Sequence, residues 1–478
     1  VAGLIVVGIT GILDDMFEIS PRWKFAGIFL GSGLFLYLSD TSIANVGNLF
    51  GFGDIETGWF ALPFTLFAMV GFINALNLSD GLDGLAAGIA LIAAFFLAAF
   101  ALAAADASAL LLAVILCGSL VGFLYFNAHP ARVFMGDTGS LTLGYVLAAI
   151  TLMLLKSSGG EGISPISMGI LLGLPLADTI YVMGRRLAHG TSPFDPDKTH
   201  FHHRLLEIGA SHAGTVSVFY LMAFIYGGAA FLLIGRAEWV QSLVLAVLLA
   251  LTYLLLGRFE GAEMSLQFSG EPAEKDMHEV RHDSHPVFYR MTHWLGASIP
   301  YVTWLLPMLL LPPLFTLQPS GLLAQIVLFT AVLALVLYPW RGNHDSTWAQ
   351  GLIYMLIFSL VLVINFQASP VMRDYLHIAT MMLALWVALK LWFKRNLRVF
   401  LTTGLESLLL MLSWVMPWVG DRVLALQGEI QLQLYEVSLQ GTVFLLATKI
   451  VLRRQPRRNT TLLQELLLIS GVALLGLL

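Results

Sequence analysis

The chain has 478 residues, of which 58% are hydrophobic and 12% charged, and its mean hydropathy is +0.82. These values exclude an ordinary soluble domain and leave a helical membrane protein. The net charge of −5 matters less than its distribution, no nucleic acid is expected as a partner, and the single cysteine, Cys117, excludes an intrachain disulfide.

Apolar runs of membrane-spanning length repeat along the whole sequence. About sixteen are read, with cores at 1–13, 25–38, 60–76, 84–104, 109–126, 140–155, 165–184, 215–235 and 240–257, then at 296–316, 321–338, 350–366, 373–393, 399–418, 433–452 and 462–478. The expected fold class is therefore all-α, a polytopic integral membrane bundle. Residue 1 is Val, inside a hydrophobic run, so N-terminal helices are expected to be missing before it. Lysine and arginine set the orientation. With the loop after the first segment cytoplasmic, 21 of the 25 basic residues fall on that side; only Lys156, Arg236, Arg373 and Arg422 fall on the other.

In chain order, the first segment ends in Asp14 and Asp15, and Arg22 and Lys24 follow. Those two bases suit a lipid phosphate, although bases at an inner interface are expected anyway. The outer loop from Gly47 to Gly58 is Gly-rich and reads as a hairpin or re-entrant turn of structural use. The third segment closes on N-A-L-N-L-S-D-G-L-D-G-L-A, from Asn74 to Ala86, in which Asn74, Asn77, Asp80 and Asp83 recur every third residue. On a regular helix that stripe would drift round the axis. Gly81 and Gly84 predict a 3₁₀-like or broken end that gathers two amides and two carboxylates. Capping aspartates on a hydrated helix end are the plain alternative.

Further clusters at the same membrane edge weaken that alternative. Between the fifth and sixth segments runs F-N-A-H-P-A-R-V-F-M-G-D-T-G-S, from Phe126 to Ser140, where Gly136 to Gly139 predicts a turn whose N–H groups can approach an anion. His129 is expected to cap the turn before Pro130. Asp178 lies near the inner end of the seventh segment, and the loop behind it carries His200, His202, His203 and Arg204, a group suited to phosphates. Five carboxylates on one membrane face point to a hard cation such as Mg²⁺, which takes one or two of them together with phosphate oxygens. Acids and bases together favour a metal–diphosphate substrate. A transporter or flippase for a lipid-linked or anionic substrate is the alternative from another class; it predicts polar sites near the membrane midplane and related halves.

Four motifs carry a resemblance: L-D-D at Leu13 to Asp15, N-x-x-D-G-L-D-G-L-A at Asn77 to Ala86, F-N-A-x-P-A-x-V-F-M-G-D-x-G-S at Phe126 to Ser140, and H-x-H-H-R at His200 to Arg204. Together they resemble the polyprenyl-phosphate N-acetylhexosamine-1-phosphate transferases, glycosyltransferase family 4, over about residues 1–257. The form of the last loop looks more like the GlcNAc-1-phosphate branch than the phospho-MurNAc-pentapeptide translocases. The resemblance implies Asp137 as the ligand of Mg²⁺, with Mn²⁺ as a substitute, and Asp14 and Asp15 as the acidic pair near the lipid phosphate, Asp14 being the base. It implies that Asn77, Asp80 and Asp83 shape the nucleotide-sugar and metal site, that Asn127, Phe134, Gly81, Leu82 and Asp83 hold the uracil, and that His200, His202, His203 and Arg204 face the diphosphate and sugar.

The activity so implied is Mg-dependent transfer of HexNAc-1-phosphate, GlcNAc-type, from a UDP-sugar to undecaprenyl phosphate with release of UMP, an opening step of cell-wall or lipopolysaccharide biosynthesis. Its partners are UDP-N-acetylhexosamine, polyprenyl phosphate and the bilayer, with a homodimer as a candidate assembly. Its place is the bacterial inner membrane, with the site facing the cytoplasm. Residues 1–257 form the expected transferase domain, 258–292 a polar cytoplasmic linker, and 293–478 a multi-span domain without assigned role. The linker histidines His278, His282, His285 and His293 lack a ligand pattern and read as solvated. Glu406 is the one intramembrane acid noted in the last domain, where a helix–helix partner is expected for it.

Overall fold

Leucine-, alanine- and phenylalanine-rich runs punctuated by Gly, Pro and Asp become helices, as lipid requires of any backbone that crosses it. The computed structural model describes residues 1–158, 162–188, 201–207, 212–258, 294–295, 297–337, 346–394, 411, 414, 417, 429–454 and 458–477. Among these the chain is all-α, with one isolated antiparallel bridge between Asn45 and Glu56. Two compact units are present, one of residues 1–270 with 401–411 and one of residues 271–400 with 412–478. The division falls inside the charged stretch between the two apolar series, and the residues of that stretch from 259 to 293 lie outside the described ones.

The first unit contains α1 (Ala2–Phe17), α2 (Pro21–Ser39), α3 (Ala61–Leu78), α4 (Leu85–Ala103), α5 (Ala107–Asn127), α6 (Gly136–Ser157), α7 (Pro165–Leu171), α8 (Gly173–Ala188), α9 (Phe201–Glu207), α10 (His212–Leu232) and α11 (Glu238–Arg258). Helix α1 packs on α2 and α6, α3 on α6, and α4 on α5 and α10. Both α4 and α5 are apolar all round, but 83% of the spanning window of α4 is buried in protein against 22% for α5. The Ala- and Gly-rich surface of α4 lets neighbours close in, whereas most of α5 is left uncovered within the first unit. The α1–α6 contact is equally tight, since a Cβ on Gly11 would lie 2.4 Å from Thr138 Cα. That approach seats the end of α1 against the start of α6.

Seven helices among the described residues are long and apolar enough to cross a membrane, or eight if one bent pair counts as a single span. The described residues support the polytopic class without confirming sixteen crossings. Helix α1 has only 16 residues, several later helices are shorter apolar pieces, and the core read at 399–418 lies almost wholly outside the described residues. The run at 165–184 is not one straight segment, because α7 and α8 meet at 75°. Pro175 explains the break: its ring clashes with the carbonyl four residues back, which belongs to Leu171, the last residue of α7.

At the end of the first unit away from Asp137 the Gly-rich loop, expected on the outer side, is a hairpin, with Val46 N–H donating to Ile55 O at 2.9 Å and Thr57 N–H to Ala44 O at 2.8 Å. The Glu238 carboxylate accepts the Asn48 N–H and pins the loop to α11. Lys156 donates to the carbonyls of Ser39 and Asp40 at 2.6 and 2.9 Å, capping the end of α2.

The second unit contains α12 (Ile299–Leu314), α13 (Gly321–Leu337), α14 (Ser346–Gln367), α15 (Pro370–Lys394), α16 (Glu429–Arg454) and α17 (Arg458–Leu477). Glu406, for which a helix partner is expected, lies outside the described residues. A polar chain unread in the sequence joins three of these helices: Asn365 donates to Gln440 at 2.8 Å, Gln440 lies 3.2 Å from His377, and His377 lies 3.4 Å from Glu436.

Candidate functional site

The ends of α1, α3 and α5 and the starts of α2, α4 and α6 converge, because antiparallel neighbours bring alternate helix ends together. Asp15, at the end of α1, is exposed but engaged. Its carboxylate accepts the N–H of Asp137 at 2.7 Å and that of Thr138 at 3.0 Å, together with the Thr138 hydroxyl. The turn at Gly136, expected to receive an external anion, is therefore filled by a carboxylate of the chain itself. A charged cap on the positive end of α6 is stabilising, and it fixes where Asp137 sits.

Asp14, one residue earlier, is buried and points into a different group. Lys24 Nζ lies 2.9 Å from Asp14 Oδ2 and 2.6 Å from Asp137 Oδ1. Asn77 donates to the same Asp137 oxygen and, at 2.8 Å, to Ser140 Oγ. Four helices thus supply Asp14, Lys24, Asn77 and Asp137 to one place. Of the two readings open for Lys24, the structure gives it a definite position, bridging two carboxylates.

The connection between α3 and α4 behaves as its glycines predict. Ser79 N–H reaches Leu76 O and Asp80 N–H reaches Asn77 O, both at 3.1 Å, the three-residue step of a 3₁₀ end. Gly84 holds φ at +80°, and its carbonyl accepts the hydroxyl of buried Tyr220 at 2.6 Å. Burial, with the charges of Asp137 and Asp83 behind it, pushes Asp80 up to about 6 from its ordinary 3.8. Asp83 is held below its usual range despite partial burial, because Ala131 N–H and His129 both bond its carboxylate. His129 is accordingly not a turn cap: its Nδ1 lies 2.8 Å from Asp83 Oδ2, across from the cis His129–Pro130 bond.

Asn127 is buried and braces two loops, its Oδ1 accepting Gly84 N–H at 3.0 Å and its Nδ2 donating to Val133 O at 2.9 Å. Phe134 is 75% exposed, so its ring is open to stacking, and Gly81 is exposed beside half-exposed Leu82. His202 packs over Gly81, where an added Cβ would fall 2.2 Å from its Nε2. Only glycine fits there, which ties α9 to the acidic loop. His203 follows with its ring 4.2 Å from that of His202. Arg204 turns inward, donating to Tyr181 Oη at 3.1 Å with its guanidinium 5.1 Å from that ring centre. Asp178 is buried and accepts Phe201 N–H at 3.0 Å, capping α9. His200 lies outside the described residues.

Two features went unread in the sequence. One is the capping duty of Asp15, which no local pattern announces, since its partners lie 122 and 123 residues away. The other is His212, the first residue of α10, whose ring stacks on that of His129 with centroids 4.0 Å apart.

A helical membrane protein with carboxylates, an amide and a lysine gathered at one end of its bundle defines a polytopic enzyme class working at a bilayer edge. Residues 1–155 match the sequence model of glycosyl transferase family 4. A Bacillus subtilis protein named probable undecaprenyl-phosphate N-acetylglucosaminyl 1-phosphate transferase is 37% identical over 249 residues, 52% of this chain and 68% of that protein. A Mycobacterium leprae decaprenyl-phosphate N-acetylglucosaminephosphotransferase is 36% identical over 46% of this chain and 60% of its own length. A Limosilactobacillus fermentum phospho-N-acetylmuramoyl-pentapeptide-transferase is 34% identical over 47% of this chain and 69% of its own length. The chain belongs to glycosyl transferase family 4, as its four motifs lead one to expect.

Proposed function

We propose that the chain transfers a HexNAc-1-phosphate of GlcNAc type from a UDP-sugar to a polyprenyl phosphate, releasing UMP, at the cytoplasmic edge of the bacterial inner membrane. The observation that carries this reading is the Asp14–Lys24–Asp137–Asn77 cluster built from four helices at one end of the first unit. Two of the relatives bear names for GlcNAc transfer to a polyprenyl phosphate, and the third is named for phospho-MurNAc-pentapeptide.

The donor set fits a hard cation. Asp14, Asp80 and Asp137 offer oxygen atoms only, and the ammonium of Lys24 already holds a cationic place between two of them. Asp137, with Asp80 beside it, would hold Mg²⁺ or Mn²⁺. Bound there, such an ion supplies neutralisation of the charge on the diphosphate and on departing UMP.

The chain's own residues do the rest. Asp15 fixes the start of α6 and so the position of Asp137. Lys24, which bridges Asp14 and Asp137, and Arg22 from the same start of α2 draw a lipid phosphate toward Asp14. Asp14 takes the remaining proton of that phosphate, whose oxygen then attacks the sugar-bearing phosphorus. A new P–O bond forms to the lipid as the bond to UMP breaks. Phe134 and the Gly81–Leu82 backbone receive the uracil, and His202 and His203 border the sugar diphosphate. Holding a lipid-borne nucleophile beside a soluble donor is much of the catalysis.

The test uses radiolabelled UDP-GlcNAc and undecaprenyl phosphate with the purified chain, and other UDP-sugars as competitors. Label is expected in a lipid product in step with UMP, with UDP-GlcNAc the preferred donor. Label that stays water-soluble, in a folded chain that binds the donor, would defeat the proposal. The carrier alternative finds no support in the first unit, where the motif residues gather at one end of the bundle.

A further inference from the structure

Beside the acidic centre, three segments remote in sequence bring together a carboxylate and two imidazoles. Asp83 comes from the α3–α4 connection, His129 from the α5–α6 loop and His212 from the start of α10. His129 Nδ1 lies 2.8 Å from Asp83 Oδ2, the two rings stack at 4.0 Å and 19° from parallel, and one donor atom from each residue lies within 4.8 Å of the others. His212 Nδ1 is buried and has no hydrogen-bond partner. An ion pair between His129 and Asp83 accounts for their short contact. It leaves the orphaned nitrogen of His212 unexplained, and buried ring nitrogens are normally paired.

We propose that Asp83, His129 and His212 form a second metal site, selective for a borderline transition ion of the zinc type. The chemistry differs from that of the Asp137 cluster. Two imidazole nitrogens and one carboxylate suit zinc, whereas oxygen-only donors suit magnesium. Three protein donors with an open fourth position is a stable arrangement for zinc. With Zn–N distances of about 2.0–2.1 Å, tetrahedral donors stand about 3.4 Å apart, so the donors must close from within 4.8 Å. One ring must also make a turn out of the stack that brings both in-plane nitrogen lone pairs onto one ion. His129, whose side chain is 50% exposed, has the room to make it. An ion shared by the three groups gives His212 Nδ1 its missing partner. It also ties the α5–α6 loop, which runs straight into Asp137, to the α3–α4 connection and to α10.

The site stands on these three side chains whatever reaction occurs at Asp137, and it is tested without turnover. The full chain in detergent, stripped with a chelator, is titrated with Zn²⁺ in excess Mg²⁺. One tight site per chain is expected, and Zn²⁺ should raise the melting temperature. His212→Phe keeps a ring for the stack and deletes the nitrogen. It should weaken Zn²⁺ binding on the order of 100-fold, as should His129→Gln, since even outer partners of a ligand are worth about 10–100-fold. Cu²⁺ in the wild-type protein should show nitrogen hyperfine coupling from two imidazoles, a readout that does not depend on any variant folding. Unchanged Zn²⁺ affinity in folded His212→Phe would assign the ion to other histidines and overturn the proposal. Oxygen-only coupling with Cu²⁺, or no tight site in the wild type, would do the same.

Discussion

The two ends of the first unit carry charge in opposite ways. At the end with the Gly-rich hairpin, Glu238 holds the Asn48 N–H of the loop and Lys156 holds the last carbonyls of α2, so both charges secure local structure. At the inner end only part of the charge is used so. Asp15 caps α6 and Asp178 caps α9, while Asp14 and Asp137 share the Lys24 ammonium and the charges of Asp137 and Asp83 bear on Asp80. Caps stabilise a fold, whereas crowded carboxylates cost it stability. The inner end retains a surplus of negative charge that folding does not require, and that surplus marks the site.

The largest expected effect follows from removing one of the surplus acids. Asp137→Asn should lower lipid-product formation on the order of 10³-fold, by analogy with the loss of a key electrostatic group elsewhere, and should remove most of the Mg²⁺ dependence of donor binding. Isothermal titration with UDP-GlcNAc at several Mg²⁺ concentrations, alongside turnover, checks both. Asp14→Asn should cost about 10²–10⁴-fold, the usual worth of a proton-transfer group, while donor binding stays as in the wild type. Loss of donor binding in Asp14→Asn would move that residue from the lipid side to the nucleotide side.

A smaller effect is expected from pH. Asp80, raised to about 6, takes up a proton as pH falls through that value, while Asp83 stays ionised because its pKa is held low. Mg²⁺-dependent donor binding should therefore decline below about pH 6 along a single ionisation, and Asp80→Asn should flatten that limb. The smallest effect belongs to the outer end. Lys156→Met should cost about 0.3–1 kcal/mol of stability, the ordinary worth of a charge at a helix end, and leave turnover unchanged. A loss of turnover beyond twofold would mean that the two ends are coupled and the contrast between them too simple.

Much of this was legible in the sequence. The broken end at Asp80 to Gly84 followed from its glycines, and the all-α membrane class followed from its apolar runs. The family followed from four ordered motifs. What stayed hidden depended on contacts between distant segments. Asp14 and Asp15 are neighbours of identical chemistry, yet a helix turns consecutive residues by about 100°, and so one meets Lys24 and the other the start of α6. Asn127 and Arg204 look like ligand-binding groups in the motifs, and both are engaged in bracing the fold. The bend at Pro175 was readable in principle, but hydrophobicity alone does not distinguish a bent span from a straight one.

The division of the inner acids into caps and surplus is tested most directly by melting two variants at pH 7. Asp80 binds its proton more tightly in the folded chain than in the unfolded one, so its contribution to stability falls as pH rises from 3.8 to about 6. At pH 7 the charged group works against the fold, and Asp80→Asn should raise the melting temperature. Asp15→Asn removes a charged cap and should lower it, by the equivalent of about 1 kcal/mol. Shifts of opposite sign are the result the account predicts; two shifts of the same sign would contradict it.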